Sequence, residues 1–357
     1  MTGESRCSFL VPGELGTRTG GYTYDRHIVE GLRARYWAVE VLSLGEGYPA
    51  PAAAALARAA GVVEGLADGA LVIVDGLAYG VLPELAQAHA QRLDWIALVH
   101  HPLALETGLD ASRRQALFDS ERRALAHARG VIVTSRSTAR ALADFDVETT
   151  RIIVVEPGTE PAPLATGSGG DALSLLCVAT VTPRKGHALL IEALAGLKDR
   201  AWVLHCAGSL AMDPACASAL TQAIDARGLR ERVLLHGEQD EAGLRTLYDK
   251  ADAFVLSSFH EGYGMALAEA LAHGLPVIST RAGAIPDTVP EAAGLLVAPG
   301  NVVELRAALQ RLMDDAAWRA QLGAGARAAR GHLPNWAQSS ARFASALAGF
   351  RRSAARP

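Results

Sequence analysis

Apolar residues along this chain fall in short runs, each closed by Gly, Pro or small polar residues and followed by a segment of helical period. In the first half the runs lie at 8–12, 38–44, 70–75, 95–100, 130–134 and 152–155. In the second they lie at 173–181, 202–207, 232–237, 253–257, 276–280 and 294–297. Runs apolar on both faces, alternating with helices, predict buried parallel strands in βα units. Six and six is the count for two doubly wound α/β domains. The break falls at 157–170, where PGTEPAPLATGSGG reads as a linker. The expected division is therefore 1–165, 170–330, and a closing segment 331–357 whose amphipathic helix, 336–350, crosses back to the first domain. Two such domains are expected to face a central cleft and bind ligand there, at the carboxyl ends of their strands.

Composition narrows the classes. At 357 residues, half apolar and a fifth charged, the chain has the make-up of a water-soluble globular protein. Residues 1–165 carry 15 basic against 20 acidic side chains and the remainder 19 against 18, so neither half has the basic excess of a nucleic-acid binder. Cys7, Cys177, Cys206 and Cys216 form no CxxC pair, which predicts core thiols in a reducing cytoplasm. The first residues have no signal-peptide pattern, and no run reaches the ~18 apolar residues of a spanning helix. Lysine occurs only at 185, 198 and 250, which draws attention to Lys185.

The most informative stretch is SSFHEGYGMALAEALAHGLP, 257–276. A strand ends, a loop with Gly262 and Gly264 follows, and a helix is predicted over 264–273, stopped by Gly274 and Pro276. Glycines let backbone N–H groups approach a ligand, and a helix start favours phosphate or sugar oxygens. Glu261 lies in the loop and Glu269 inside an otherwise apolar helix. A plain surface carboxylate is the ordinary reading of either one. Burial of an unpaired carboxylate is costly, however, so Glu269 in that setting calls for a partner or a ligand. Paired carboxylates suit sugar and ribose hydroxyls better than phosphates.

The pattern Glu261, seven residues, Glu269, with Gly262-Tyr263-Gly264 after the first and Gly274-Leu275-Pro276-Val277 after the second, resembles the signature of glycosyltransferase family 4. The likeness extends over the C-terminal half: Ala251–Leu256 precedes the motif and Ala282–Asp287 follows it, with Asp287 where the family usually has Glu. It implies two Rossmann-like domains of GT-B type and a nucleotide-diphosphate sugar as donor. It also implies retention of anomeric configuration, with no metal and no separate cofactor.

Further segments fit the same picture. In CVATVTPRKGH, 177–187, a strand ends near Val181 and a helix begins near His187. Arg184 offers a planar fork and Lys185 a point charge, and together they are candidates to clamp a diphosphate. A solvated Arg-Lys pair is the plainer alternative. The family carries an Arg and a Lys here; Lys185 matches the Lys, Thr180 stands in the Arg position, and Arg184 is the candidate substitute. In the first domain Gly20 and Gly21 follow the first strand with Arg18 beside them, as in the family's donor-phosphate loop. His100 and His101 end the fourth strand; the family's His near the transferred sugar matches His100 better, with His101 left open. Glu106 is an acceptor-side candidate together with His101. Arg26 and His27 read as surface or core residues.

Asp144-Phe145-Asp146 spells the DxD of metal-dependent transferases but is expected to be a surface turn. Neither first βα turn carries GxGxxG, which argues against a dinucleotide dehydrogenase. The expected catalytic set is His100, Glu261, Lys185 and Arg184. The expected donor set is Gly20, Gly21, Arg184, Lys185, Glu261, Gly262, Tyr263, Gly264 and Glu269. The alternatives are a GT-B nucleotide-sugar epimerase, or a non-catalytic protein that only binds a nucleotide-sugar. Base, sugar and acceptor are not legible.

Overall fold

The computed structural model describes residues 5–17 and 19–350. Arg18 lies outside the described residues. The chain forms two compact units: the residues up to Gly158 joined by those from Pro334 onward, and Thr159–Leu333.

In the first unit six strands, β1 (Arg6–Val11), β2 (Ala38–Ser43), β3 (Leu71–Asp75), β4 (Asp94–Val99), β5 (Gly130–Val133) and β6 (Ile152–Val154), form one sheet in the order β2-β1-β3-β4-β5-β6. Every pairing is parallel. Because side chains alternate across a strand, each strand feeds two cores. Leu10, Val72, Val74, Trp95 and Ala97 pack on one face. Phe9, Val11, Ile73 and Ile96 pack on the other, against Tyr24, Ile28, Val29 and Leu32 of the helix Gly20–Arg33. The closing helix Trp336–Phe350 adds Phe343, Leu347 and Phe350 to this second core. Its Ser340 sits so close to Gly31 that a Cβ there would lie 2.3 Å from the serine Cβ. Gly31 is what lets the two helices touch.

In the second unit β7 (Leu173–Val178), β8 (Trp202–Ala207), β9 (Val233–Gly237), β10 (Ala253–Leu256), β11 (Val277–Thr280) and β12 (Gly294–Val297) are ordered β12-β11-β10-β7-β8-β9, again all parallel. Counted within the unit and read from the far edge this is 3-2-1-4-5-6, the doubly wound order of mononucleotide-binding halves. The strand order reverses between β7 and β10, and the carboxyl ends of strands at such a reversal are where doubly wound sheets bind ligands.

The stretch read as a linker is not free chain. Ala165 donates its N–H to His273 O at 2.9 Å, Thr166 and Gly167 donate to Asp249 O, and Ser168 Oγ donates to Asp252 at 2.7 Å. Its small residues allow an extended strap to lie flat on the second unit, whose boundary falls at Gly158/Thr159. No helix among the described residues is long and apolar enough to cross a membrane.

Candidate functional site

The two loops at the β7/β10 reversal are fastened to each other. The loop after β7 turns through a short 3-10 segment, Pro183–Lys185, and then Gly186, whose φ of +68° favours glycine. A Cβ at Gly186 would lie 2.2 Å from the Ser257 carbonyl oxygen, so the position excludes any side chain. Ser257 Oγ donates to Gly186 O at 2.8 Å, and Phe259 N donates to Arg184 O at 2.8 Å. This fastening carries the two cations to Glu261.

Lys185 Nζ donates to Glu261 Oε1 at 2.6 Å, and Ser258 Oγ donates to the same oxygen at 2.6 Å. Arg184 Nη1 donates to His260 O at 2.9 Å and stands 3.8 Å from Glu261 Oε2. Glu261 is buried, while Lys185 and Arg184 are partly exposed. Burial alone would push the Glu261 carboxyl up. The Lys185 and Arg184 charges and the hydrogen bonds from Lys185 and Ser258 outweigh it and hold the group below its ordinary value. Two cations against one carboxylate leave the cluster with a net positive charge, and Lys185 with two N–H donors not committed to Glu261.

Gly262, Tyr263 and Gly264 complete the loop. Gly264, at φ +90°, caps the helix Met265–Ala272. Thr288 Oγ1 donates to Tyr263 O at 2.6 Å, and Ala284 N donates to Glu261 O at 2.9 Å. The following segment, with the exposed Asp287 in its short helix Ile285–Thr288, is thereby pinned to the motif. Glu269 has its own partner: the Tyr248 hydroxyl donates to Oε2 at 2.8 Å, and the Tyr248 ring stacks on His273 at 4.8 Å between centroids. Burial lifts the Glu269 carboxyl above its ordinary value against the pull of that hydrogen bond. Sequence reasoning found Glu269 but not Tyr248 or Ser258.

The first unit holds a second constellation at the ends of β1, β3 and β4. Gly20 and Gly21 form the first turn of the helix that Thr19 caps, accepting from Tyr22 N at 3.5 Å. Gly21 lies against His100, where a Cβ would meet the ring at 3.5 Å. His100 Nε2 is 3.0 Å from Asp25 Oδ1 and 3.6 Å from Asp75 Oδ2. Burial pulls the imidazole down, but Asp25, by charge and hydrogen bond, and then Asp75 hold His100 above its ordinary value. Asp75 is pushed up to about 7, first by burial and then by Asp25, against the pull of His100 and the Leu77 amide. One ligand-type atom from each of Asp25, Asp75 and His100 lies within 4.8 Å of the others, close enough to enclose a proton or a cation.

Neither aspartate was singled out in the sequence. The signal was there for Asp25, since it shares the period of Ile28, Val29 and Leu32 and so falls on the helix's apolar face. His101 points elsewhere, with Nε2 4.0 Å from Glu106 Oε2. Arg26 donates to Leu15 O at 3.4 Å, and His27 stacks on Trp336 at 4.1 Å. Asp144 and Asp146 are exposed; Asp146 adopts a left-handed turn and pairs with Arg122 at 3.1 Å.

Residues 165–329 match the family model described as Glycosyl transferases group 1. The chain is similar to D-inositol 3-phosphate glycosyltransferase of Salinispora tropica, with 28% identity over 61% of this chain and 50% of that protein. It thus spans half the length of that relative. It is also similar to MMP alpha-(1->4)-mannosyltransferase of Mycolicibacterium hassiacum, with 26% identity over 81% of this chain and 73% of that protein. Among solved structures, sucrose-phosphate synthase from Thermosynechococcus elongatus superposes with a TM-score of 0.83 at 22% identity, covering 97% of this chain and 98% of that one. Anabaena HepE in complex with UDP-glucose superposes with a TM-score of 0.77 at 16% identity, covering 96% and 99%. The two six-stranded Rossmann-like sheets have the GT-B fold of these solved structures, and residues 165–329 fit the group 1 glycosyl transferase model.

Proposed function

We propose that the protein is a retaining glycosyltransferase of family 4, moving a sugar from a nucleotide-diphosphate sugar to a hydroxyl acceptor without a metal ion. The observation that carries this reading is the Lys185–Glu261–Arg184 cluster at the strand-order reversal of the second unit, within the family-matched segment. A diphosphate brings negative charge to a site that carries a net positive one. Lys185 keeps one N–H on Glu261 and gives its others to phosphate oxygens, while Arg184 lends its guanidinium. Charge that builds on the leaving diphosphate is neutralised by groups already fixed in place, the role a divalent ion plays elsewhere. Glu269, oriented by Tyr248, accepts the ribose hydroxyls. Glu261 and the backbone amides of Gly262–Gly264 take the donor sugar.

From the first unit, Gly20 and Gly21 offer backbone N–H groups to the donor phosphate, and His100 meets the transferred sugar or the acceptor. His101 and Glu106 belong to the acceptor side. None of the four cysteines is in a disulfide, which suits a reducing cytoplasm, where this reading places the reaction.

The test is product analysis with the full chain, donor and an acceptor mixture in EDTA, following the anomeric proton by NMR. A product with the donor's anomeric configuration, formed at an undiminished rate in EDTA, supports the reading. The opposite anomer rejects retention, and activity that returns only with Mg²⁺ or Mn²⁺ rejects metal independence. Sugar isomerisation without acceptor would indicate the epimerase alternative, and donor binding without nucleoside-diphosphate release the non-catalytic one.

A further inference from the structure

Asp25 is a carboxylate on the apolar face of its helix, fully buried with Tyr24, Ile28, Val29 and Leu32. Such a group costs several kcal/mol unless it is paired, and an apolar residue of similar size would serve the core better. Its Oδ1 meets His100 Nε2 at 3.0 Å, and its Oδ2 is buried with no donor in reach. Asp75, at the end of β3, is also buried. Its Oδ1 accepts from Leu77 N at 2.6 Å, and its Oδ2 faces the same imidazole nitrogen at 3.6 Å.

We propose that Asp25 and Asp75 are positioning residues for His100: they fix its proton on Nε2 and leave Nδ1 as the nitrogen that meets a sugar hydroxyl. An ionised carboxylate only accepts hydrogen bonds, so a ring nitrogen set against Asp25 carries the hydrogen in the neutral and the charged imidazole alike. The ring is held from its other sides too. Tyr24 meets it edge-on at 5.3 Å, Gly21 packs at its Cδ2 edge, and Thr134 Oγ1 donates to the His100 carbonyl at 3.3 Å. The remaining nearby acid is Glu46, whose charge, with those of Asp75 and Asp25, bears on the Tyr22 phenol. No described residue hydrogen-bonds Nδ1. The imidazole is 21% exposed while the two carboxylates are 0% and 6% exposed, so the ring is the part of the trio a ligand reaches. The functional reading above enters only through the identity of that ligand.

The test is the ring's tautomer, read by long-range ¹H–¹⁵N NMR on the full chain labelled at histidine, with the His100 signals identified by difference from His100→Gln. At pH 8 the expected wild-type pattern is hydrogen on Nε2 and an unprotonated Nδ1. In Asp25→Ala it becomes an exchanging mixture of both tautomers, and Asp75→Asn retains the wild-type form in part. A wild-type ring with its hydrogen on Nδ1, which needs no variant to detect, overturns the proposal, as does an Asp25→Ala spectrum unchanged from wild type. Broadening of the His100 signals by substoichiometric Mn²⁺, lost in Asp25→Ala, would also overturn it, making the trio a cation site. The kinetic arm expects kcat for Asp25→Ala to fall by ~10²-fold with donor KM within about twofold. If wild type turns over no donor, the functional reading fails while the tautomer result still stands or falls by itself.

Discussion

Removing Glu261 should damage the second unit in a way that removing Lys185 as well repairs. Lys185 Nζ, Ser258 Oγ and, more distantly, Arg184 all converge on this buried carboxylate. Glu261→Ala leaves two cations and a hydroxyl without their common acceptor. Breaking a buried pair from one side costs ~3–5 kcal/mol, and because both cations retain some exposure the lower end, about 3 kcal/mol, applies. For a unit of this size that corresponds to a fall of ~6–12 °C in its melting transition. In the double variant Glu261→Ala/Lys185→Ala the nearer of the two stranded charges is gone and only Arg184 remains, so the cycle should return a coupling of ~1–3 kcal/mol.

The pH dependence follows from the depressed Glu261 carboxyl. Its folded pKa lies below the ordinary 4.5, so its stabilisation is fully present above that value and is lost as pH falls through the folded pKa. The penalty of Glu261→Ala should accordingly shrink in acid. Calorimetry of the four proteins at pH 7.5 and pH 4 measures both effects. A coupling below ~0.5 kcal/mol at neutral pH would refute the claim that the pair organises these loops.

Three other outcomes are expected. Glu121 is buried and lifted to about 8 by that burial against the pull of the Leu103 amide, so folding becomes less favourable as pH rises from 4.5 through about 8. Glu121→Gln should remove that slope and gain relative to wild type at pH 9 but not at pH 5, by at most about 5 kcal/mol, as followed by urea unfolding. Gly31→Val should separate the Gly20–Arg33 helix from Ser340 and destabilise the first unit by ~1–3 kcal/mol or more, while the calorimetric transition of the second unit stays in place. Tyr248→Phe removes the hydroxyl that holds Glu269 and should cost ~1–3 kcal/mol in nucleotide-sugar affinity by titration calorimetry, with little change for inorganic diphosphate. Equal losses for both ligands would count against a ribose role for Glu269.

The sheets were legible because a strand buried on both faces must be apolar throughout, and each of the twelve runs overlaps an observed strand. The helix expected over 264–273 is Met265–Ala272, with Gly264 and His273 as its caps, because Gly264 at φ +90° belongs to the loop. Lys185 and Glu261 stood out as rare or patterned residues, and the structure brings them to 2.6 Å. What sequence could not supply is pairing across long separations. Tyr248 meets Glu269 across a strand and a loop, and Asp25, Asp75 and His100 come from three different βα units. Asp25 was hidden by its type, since an acidic residue in an amphipathic helix is read as solvent-facing unless its phase is checked. The strap at 157–170 does hold the boundary between the units, but its attachment to the second was hidden for a related reason. Pro, Gly and Ser signal the absence of regular structure, and they are silent about whether backbone N–H groups find partners such as Asp249 and Asp252.

The central claim is that the loops after β7 and β10 hold a nucleotide-diphosphate sugar through Lys185. The most direct measurement is thermal shift with nucleoside-diphosphate release for a panel of UDP-, GDP- and ADP-sugars in EDTA, on wild type and Lys185→Ala side by side. The account predicts that one base family stabilises wild type and is slowly turned over in EDTA, with both effects lost in Lys185→Ala while that variant remains folded. Absence of stabilisation by every nucleotide-sugar, or stabilisation that persists undiminished in Lys185→Ala, would contradict it.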